Sequence, residues 1–212
     1  MAKLIEGIFG AISGKLGPVT GGVWKGIPYL KLTPDTGKMK LPRSIAQIAN
    51  EQKMKFLNAV LKPFYPYLAV GFQNLAIRKT AISAAYSMNY HQALNGVYPN
   101  LSIDYSKFMI SAGPLPGLPG ATVSLSAVDT LQVDWQQSND AQARYNDQIM
   151  LVVYCPELNQ ADGFIGVAIR REHQCSLKIR ENMQGKALEV YVGVTSFDRK
   201  KISNSQYLGR HG

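Results

Sequence analysis

Leu131-Gln-Val-Asp-Trp135 places apolar side chains at every second position with polar ones between them. That is the period of a strand with one face in a core and the other turned away from it. Working outward, short segments of strand character recur at regular intervals: Ala121–Ala127, Thr130–Gln136, Gln148–Cys155, Gly163–Ile169, Gln174–Ile179 and Lys186–Phe197, with a last one near Ile202–Leu208. Any antiparallel sheet gives such alternation, but this number of strands at this spacing favours a β-sandwich. The period of two begins earlier, where Leu101, Ile103 and Tyr105 alternate with Ser102 and Asp104. Between them, Gly113-Pro-Leu-Pro-Gly-Leu-Pro-Gly120 reads as a rigid linker or a strand-edge loop.

Upstream the period changes. Ser44 is followed three residues later by Gln47, the spacing of a capping box. Ile45, Ile48, Ala49, Phe56, Ala59 and Val60 then fall near one face of a helix that Pro63 and Pro66 stop. A second helix is expected from Tyr67 to Leu94, with Leu68, Phe72, Leu75, Ile82, Tyr86 and Tyr90 at helical spacings and Asn95-Gly96 as its end. The two make a helical hairpin whose apolar face must cover something. Residues 1–43 are different again: short apolar pieces punctuated by glycine, read as short strands or an extended arm. Pro18 and Pro28 confine such strands to sheet edges. The expected class is therefore α+β, with a glycine-rich basic arm over 1–43, a helical hairpin over 44–96 and an antiparallel sandwich over 97–212.

The chain has 212 residues, 46% of them hydrophobic and only 17% charged. It can bury a real core, and a surface with few charges suits a protein that covers itself by assembling. The net charge of +9 is unevenly placed: residues 1–62 hold ten Lys/Arg against Glu6, Asp35 and Glu51. Such asymmetry points to nucleic acid or another acidic surface, or to a solvated basic face. Cys155 and Cys175 do not make a disulfide framework. No signal peptide or membrane span is expected, and synthesis in the cytoplasm is.

Gly14-Lys-Leu-Gly-Pro-Val-Thr-Gly-Gly-Val-Trp-Lys-Gly26 combines dense glycine with Trp24, Lys15 and Lys25. A flexible linker would lack the aromatic anchor. The block, with Leu41-Pro-Arg-Ser-Ile-Ala-Gln47, Tyr98-Pro-Asn-Leu-Ser-Ile-Asp-Tyr105 and Asn204-Ser-Gln-Tyr-Leu-Gly209, resembles a family of Bacteroidota proteins with no assigned activity. It departs from that pattern at Leu41 and Ile45. The resemblance implies no catalytic residues. Separately, Leu131–Trp135 resembles the second strand of a fibronectin type III-like, or Ig-like, domain, and Leu188-Glu-Val-Tyr-Val-Gly-Val194 resembles its tyrosine-bearing sixth strand.

Enzymatic chemistry finds little support. Gly10-Ala-Ile-Ser-Gly-Lys-Leu16 is one residue short of a phosphate loop and has Leu where the hydroxyl should stand. No Gly-x-Ser-x-Gly, no metal-ligand spacing and no cofactor motif occurs. His91, His173 and His211 are scattered, and the two cysteines read as small buried residues. Binding features remain. Lys15, Trp24, Lys25, Tyr29, Lys31, Lys38, Lys40 and Arg43 interleave cations with aromatics and are the candidate contacts to a partner or to nucleic acid. The competing reading makes Trp24 and Tyr29 core residues covering the sheet, with the lysines facing water. The expected function is a non-enzymatic structural or assembly protein, such as a phage or mobile-element capsid, minor capsid or tail module. Its arm would meet neighbouring subunits, as a homo-oligomer or with other structural subunits, or packaged nucleic acid. The alternative is a nucleic-acid-binding accessory protein acting as monomer or dimer.

Overall fold

The computed structural model describes residues 3–4, 10–34, 42–127 and 129–212. The chain divides into two compact units, residues 1–47 and 48–212. The class is mixed, with α-helices and antiparallel β-sheets.

Within the first unit, β1 (Lys3–Leu4), β2 (Ile12–Leu16), β3 (Val19–Trp24) and β4 (Ile27–Leu32) form a meander in that spatial order. The strand expectation for this region therefore fits better than an extended arm. Pro28 lies in β4, an edge strand, where a residue without an N–H is tolerated. Ser44 caps the helix that follows: Ser44 N donates to Gln47 Oε1 at 2.9 Å and Gln47 N to Ser44 Oγ at 3.3 Å. Both bonds satisfy amides that the first helical turn leaves free.

That helix, α1 (Ile45–Leu61), runs into the second unit. Its buried side chains are Leu57, Val60 and Leu61, spaced three and four apart, whereas Ile45 is 82% exposed. Of the apolar face read from the sequence, Val60 is buried and Phe56 partly so, whereas Ala59 is exposed and the buried Leu57 and Leu61 lie outside that reading. A 3-10 turn at Lys62–Phe64 carries Pro63, and Pro66 opens α2 (Tyr65–Gly71) instead of only ending α1. The single helix expected from Tyr67 to Leu94 is two. At Gly71 a Cβ would stand 2.2 Å from the Ile110 carbonyl oxygen, so only glycine permits this approach. The chain turns through Gln73–Leu75 and through Arg78 at φ 56°, then restarts as α3 (Ala81–Gln92). Thr80 caps α3, its Oγ1 accepting from Ser83 N at 3.0 Å. A short hairpin follows, β5 (Leu94–Val97) with β6 (Asn100–Ile103).

Seven further strands complete the unit: β7 (Thr122–Ala127), β8 (Thr130–Asp134), β9 (Gln148–Cys155), β10 (Gln160–Ile169), β11 (Gln174–Lys178), β12 (Leu188–Thr195) and β13 (Gln206–His211). They make a three-stranded sheet, β11-β8-β7, and a four-stranded sheet, β10-β9-β12-β13. Ile149, Leu151, Val153 and Cys155 of β9 join Val190, Val192 and Val194 of β12 in a cluster with Leu131, Val133 and Trp135 of the smaller sheet. The alternate residues Met150, Val152, Tyr154 and Tyr191 join Leu57, Leu61, Phe64, Leu68 and Phe72 of the helical region. The four-stranded sheet is therefore buried on both faces. This is why Ile149–Cys155 is a continuous apolar run while β8 alternates. At about 1.5–3 kcal/mol per large side chain buried, the two clusters dominate the stability of the unit. The helical hairpin covers the outer face of this sheet, which supplies the surface its apolar stripe required.

Trp135 is buried, and its Nε1 donates to the Arg170 carbonyl at 2.8 Å. The Gly113–Gly120 segment is no linker. Leu115 and Leu118 belong to the inner cluster. The buried Arg170 guanidinium donates to the carbonyls of Gly117 at 2.8 Å and Pro116 at 2.7 Å, and through Nε to Asp147 Oδ2 at 3.2 Å. Burial lowers the Arg170 pKa, while the Asp147 carboxylate pulls it back up.

Candidate functional site

The first unit's meander is the part of the molecule left most open. β2 and β3 pair with Gly14 opposite Gly21 and Leu16 opposite Val19, and β3 and β4 pair from Val19↔Leu32 to Trp24↔Ile27. Each connection is a two-residue loop, Gly17-Pro18 and Lys25-Gly26. In the second both residues have positive φ, 47° and 80°, the conformation of a type I′ hairpin turn. The Trp-Lys-Gly element of the sequence is thus a hairpin tip.

Strand alternation sorts the side chains into two faces. On one lie Ile12, Leu16, Val19, Val23, Pro28, Leu30 and Leu32, none of them charged or polar. Leu16 is 59% exposed, Leu30 60% and Leu32 75%. On the other face lie Ser13, Lys15, Thr20, Trp24, Ile27, Tyr29 and Lys31. The Thr20 and Thr33 hydroxyls meet at 3.0 Å. Trp24 is 48% exposed and Tyr29 43%, so they are not the core residues of the sheet. The glycines explain this: the centre of β3 is Gly21-Gly22, which offers no side chain for an aromatic core to pack around.

Lys15, Trp24, Lys25, Tyr29 and Lys31 are therefore brought together on one small sheet and its tip. Arg43 is exposed and lies two residues ahead of α1 in the chain. Lys38 and Lys40 lie outside the described residues. Lys25 Nζ stands 6.0 Å from the centre of the Trp24 ring, within reach of a cation–π attraction. The apolar face went unread in the sequence, although Leu16, Val19, Val23, Leu30 and Leu32 share it by strand alternation once the two hairpin loops are placed.

Among the described residues no three His, Cys, Asp or Glu side chains cluster as metal ligands. Burial, with Asp134 and Glu172 nearby, pushes the Cys175 thiol up to about 12, the opposite of an activated thiolate. His91 packs edge-on against Tyr90, and His211 Nε2 lies 3.1 Å from the Leu208 carbonyl oxygen. Glu189 is buried beneath the helices and accepts from the Tyr207 hydroxyl. Burial, then Glu189, push the Tyr207 phenol up to about 12. An open cleft of about 530 Å³ at His91, Lys107, Phe108 and Tyr207 has Lys107 already paired with Asp104 at 3.3 Å.

The second unit is an antiparallel sheet covered by helices, and the first is a meander with one aliphatic and one mostly polar face. The chain belongs to a family of unknown function, DUF6266, whose model matches residues 11–209, from just before β2 into β13. No curated protein matches the chain.

Proposed function

We propose that the protein is a non-enzymatic assembly subunit whose N-terminal meander docks on a neighbouring copy of the same chain. The observation that carries this is the uncharged apolar face of β2–β4, with Leu16, Val23, Leu30 and Leu32 each more than half exposed. A contiguous uncharged apolar face of this kind often marks an interaction site. The lysines lie on the opposite face and repel their counterparts, so two copies meet through the aliphatic side. Three strands at ~4.8 Å spacing and ~3.3 Å rise give roughly 250 Å² per face. A pair of copies then buries about 500 Å², below the ~1,200 Å² of a stable isolated complex. The contact works by repetition, as in a lattice of many copies. A phage or mobile-element particle is the setting this reading favours.

The order β7-β8-β11 against β10-β9-β12-β13 supports reading residues 122–211 as an Ig-like, fibronectin type III-like sandwich, with Trp135 between the sheets and Tyr191 turned outward to the helices. Such sandwiches serve many unrelated roles, so the fold adds only compatibility.

The test is light scattering across a concentration series at ~0.5 M salt after nuclease treatment, where a screening length of about 4 Å suppresses bound polyanion. Mass should rise with concentration, and Leu30→Ser with Leu32→Ser should hold the chain monomeric. A wild-type chain that stays monomeric throughout sinks the proposal.

A further inference from the structure

We infer that the polar face of β2–β4 is a binding site for single-stranded nucleic acid, with Trp24 and Tyr29 stacking on bases and Lys15, Lys25 and Lys31 meeting phosphates. This goes beyond self-association and uses the opposite face of the sheet. Four observations converge on it. First, residues 10–34 contain three lysines and no Asp or Glu, so the formal charge that these strands themselves carry is all positive. Second, the register places Lys15, Thr20 and Lys31 in one row across three strands, with a cation on each side of a hydroxyl. Third, the two rings project from adjacent strands. Trp24 pairs with Ile27 and Gly22 with Tyr29, so Trp24 and Tyr29 are diagonal neighbours about 7–8 Å apart. Fourth, the Tyr29 ring is laid against Gly22: a Cβ there would stand 2.9 Å from Oη and 3.0–3.3 Å from two ring carbons. Any side chain at position 22 would lift the ring off the sheet.

Half-exposed rings framed by cations suit a ligand that offers flat apolar faces and negative charge together. A nucleic acid single strand does so. A duplex hides its base faces in the stack, and an acidic peptide supplies charge without them. Stacking tolerates any base, so the site carries little sequence preference, and the phosphate contacts make it salt-sensitive. The aliphatic face plays no part in this recognition.

The experiment uses the full chain and a fluorescein-labelled 20-nucleotide oligo-dT, read by anisotropy at ~50 mM salt and in a salt series. Tryptophan emission is followed in the same titration. Trp135 is buried, so its emission should stay constant and report the fold, while Trp24 should be quenched. Trp24→Ala and Tyr29→Ala should each weaken binding roughly 5- to 100-fold. Lys15→Gln with Lys31→Gln should lower the slope of log affinity against log salt by about 1.4. Leu30→Ser with Leu32→Ser should bind like wild type, which separates this site from self-association. The inference is overturned if the oligonucleotide does not bind at low salt, or if both ring variants bind like wild type. Equal affinity for a duplex of the same length, or full displacement by polyglutamate at matched charge, also overturns it.

Discussion

β9 and β3 are both central strands. From Ile149 to Cys155 every residue of β9 is buried, four of them in the cluster with the smaller sheet and three in the cluster with the helices. In β3 one residue, Gly21, is buried. β3 is paired without a register break on both sides, and β9 is so paired with β12. The contrast shows that ladder hydrogen bonds set the shape of a sheet, and side-chain burial decides whether it stands alone. A small sheet with no covered face is marginal in water. On the assembly reading proposed above, the meander gains stability from the neighbouring copy it meets, whereas the second unit carries its own core.

Arg170→Ala should have the largest effect, because it strands the buried Asp147 carboxylate and two carbonyls; about 3–5 kcal/mol of unfolding free energy should be lost in urea titration. Leu151→Ala, in the two-sided strand, should cost about 2–5 kcal/mol, whereas Leu30→Ala in the meander should stay within about 0.5 kcal/mol. A similar loss at both positions would mean that the meander's apolar face is covered within the chain.

A smaller and pH-dependent effect should come from Tyr207. Its folded-state pKa is raised to about 12 from an ordinary value near 10. Its contribution is therefore complete below pH ~10 and is lost as pH rises toward 12. Melting temperature should fall across that window, and Tyr207→Phe should flatten the fall. An unchanged slope in the variant would assign the alkaline loss to other tyrosines, Tyr191 and Tyr154 first, whose phenols burial pushes higher still.

Much of the second unit can be read from residue patterns, since burial writes directly into them. The alternation of Leu131, Val133 and Trp135 gives β8, and the Ser44–Gln47 pair gives the start of α1. The break at Gly71 was not legible, because its cause is a carbonyl 39 positions further along the chain. The Arg170–Asp147 clamp escaped for a similar reason: its partners come from three separate segments, and no local spacing announces them. In the meander the basic and aromatic residues were visible as types. Their common face depends on two hairpin loops, and a glycine-rich run can be read as extended arm or as tight turns until one register is fixed. The aliphatic face was hidden by the same ambiguity.

The two-sided burial of β9 also makes the molecule its own stability gauge. Amides from Ile149 to Cys155 lie beneath a second sheet on one side and helices on the other, so no partial opening reaches them without dismantling a core. Their deuterium uptake should follow the global unfolding equilibrium, while β3 amides should exchange through local opening. A partner added to the meander would then slow only the second set, reporting occupancy peptide by peptide while β9 serves as the unchanging reference.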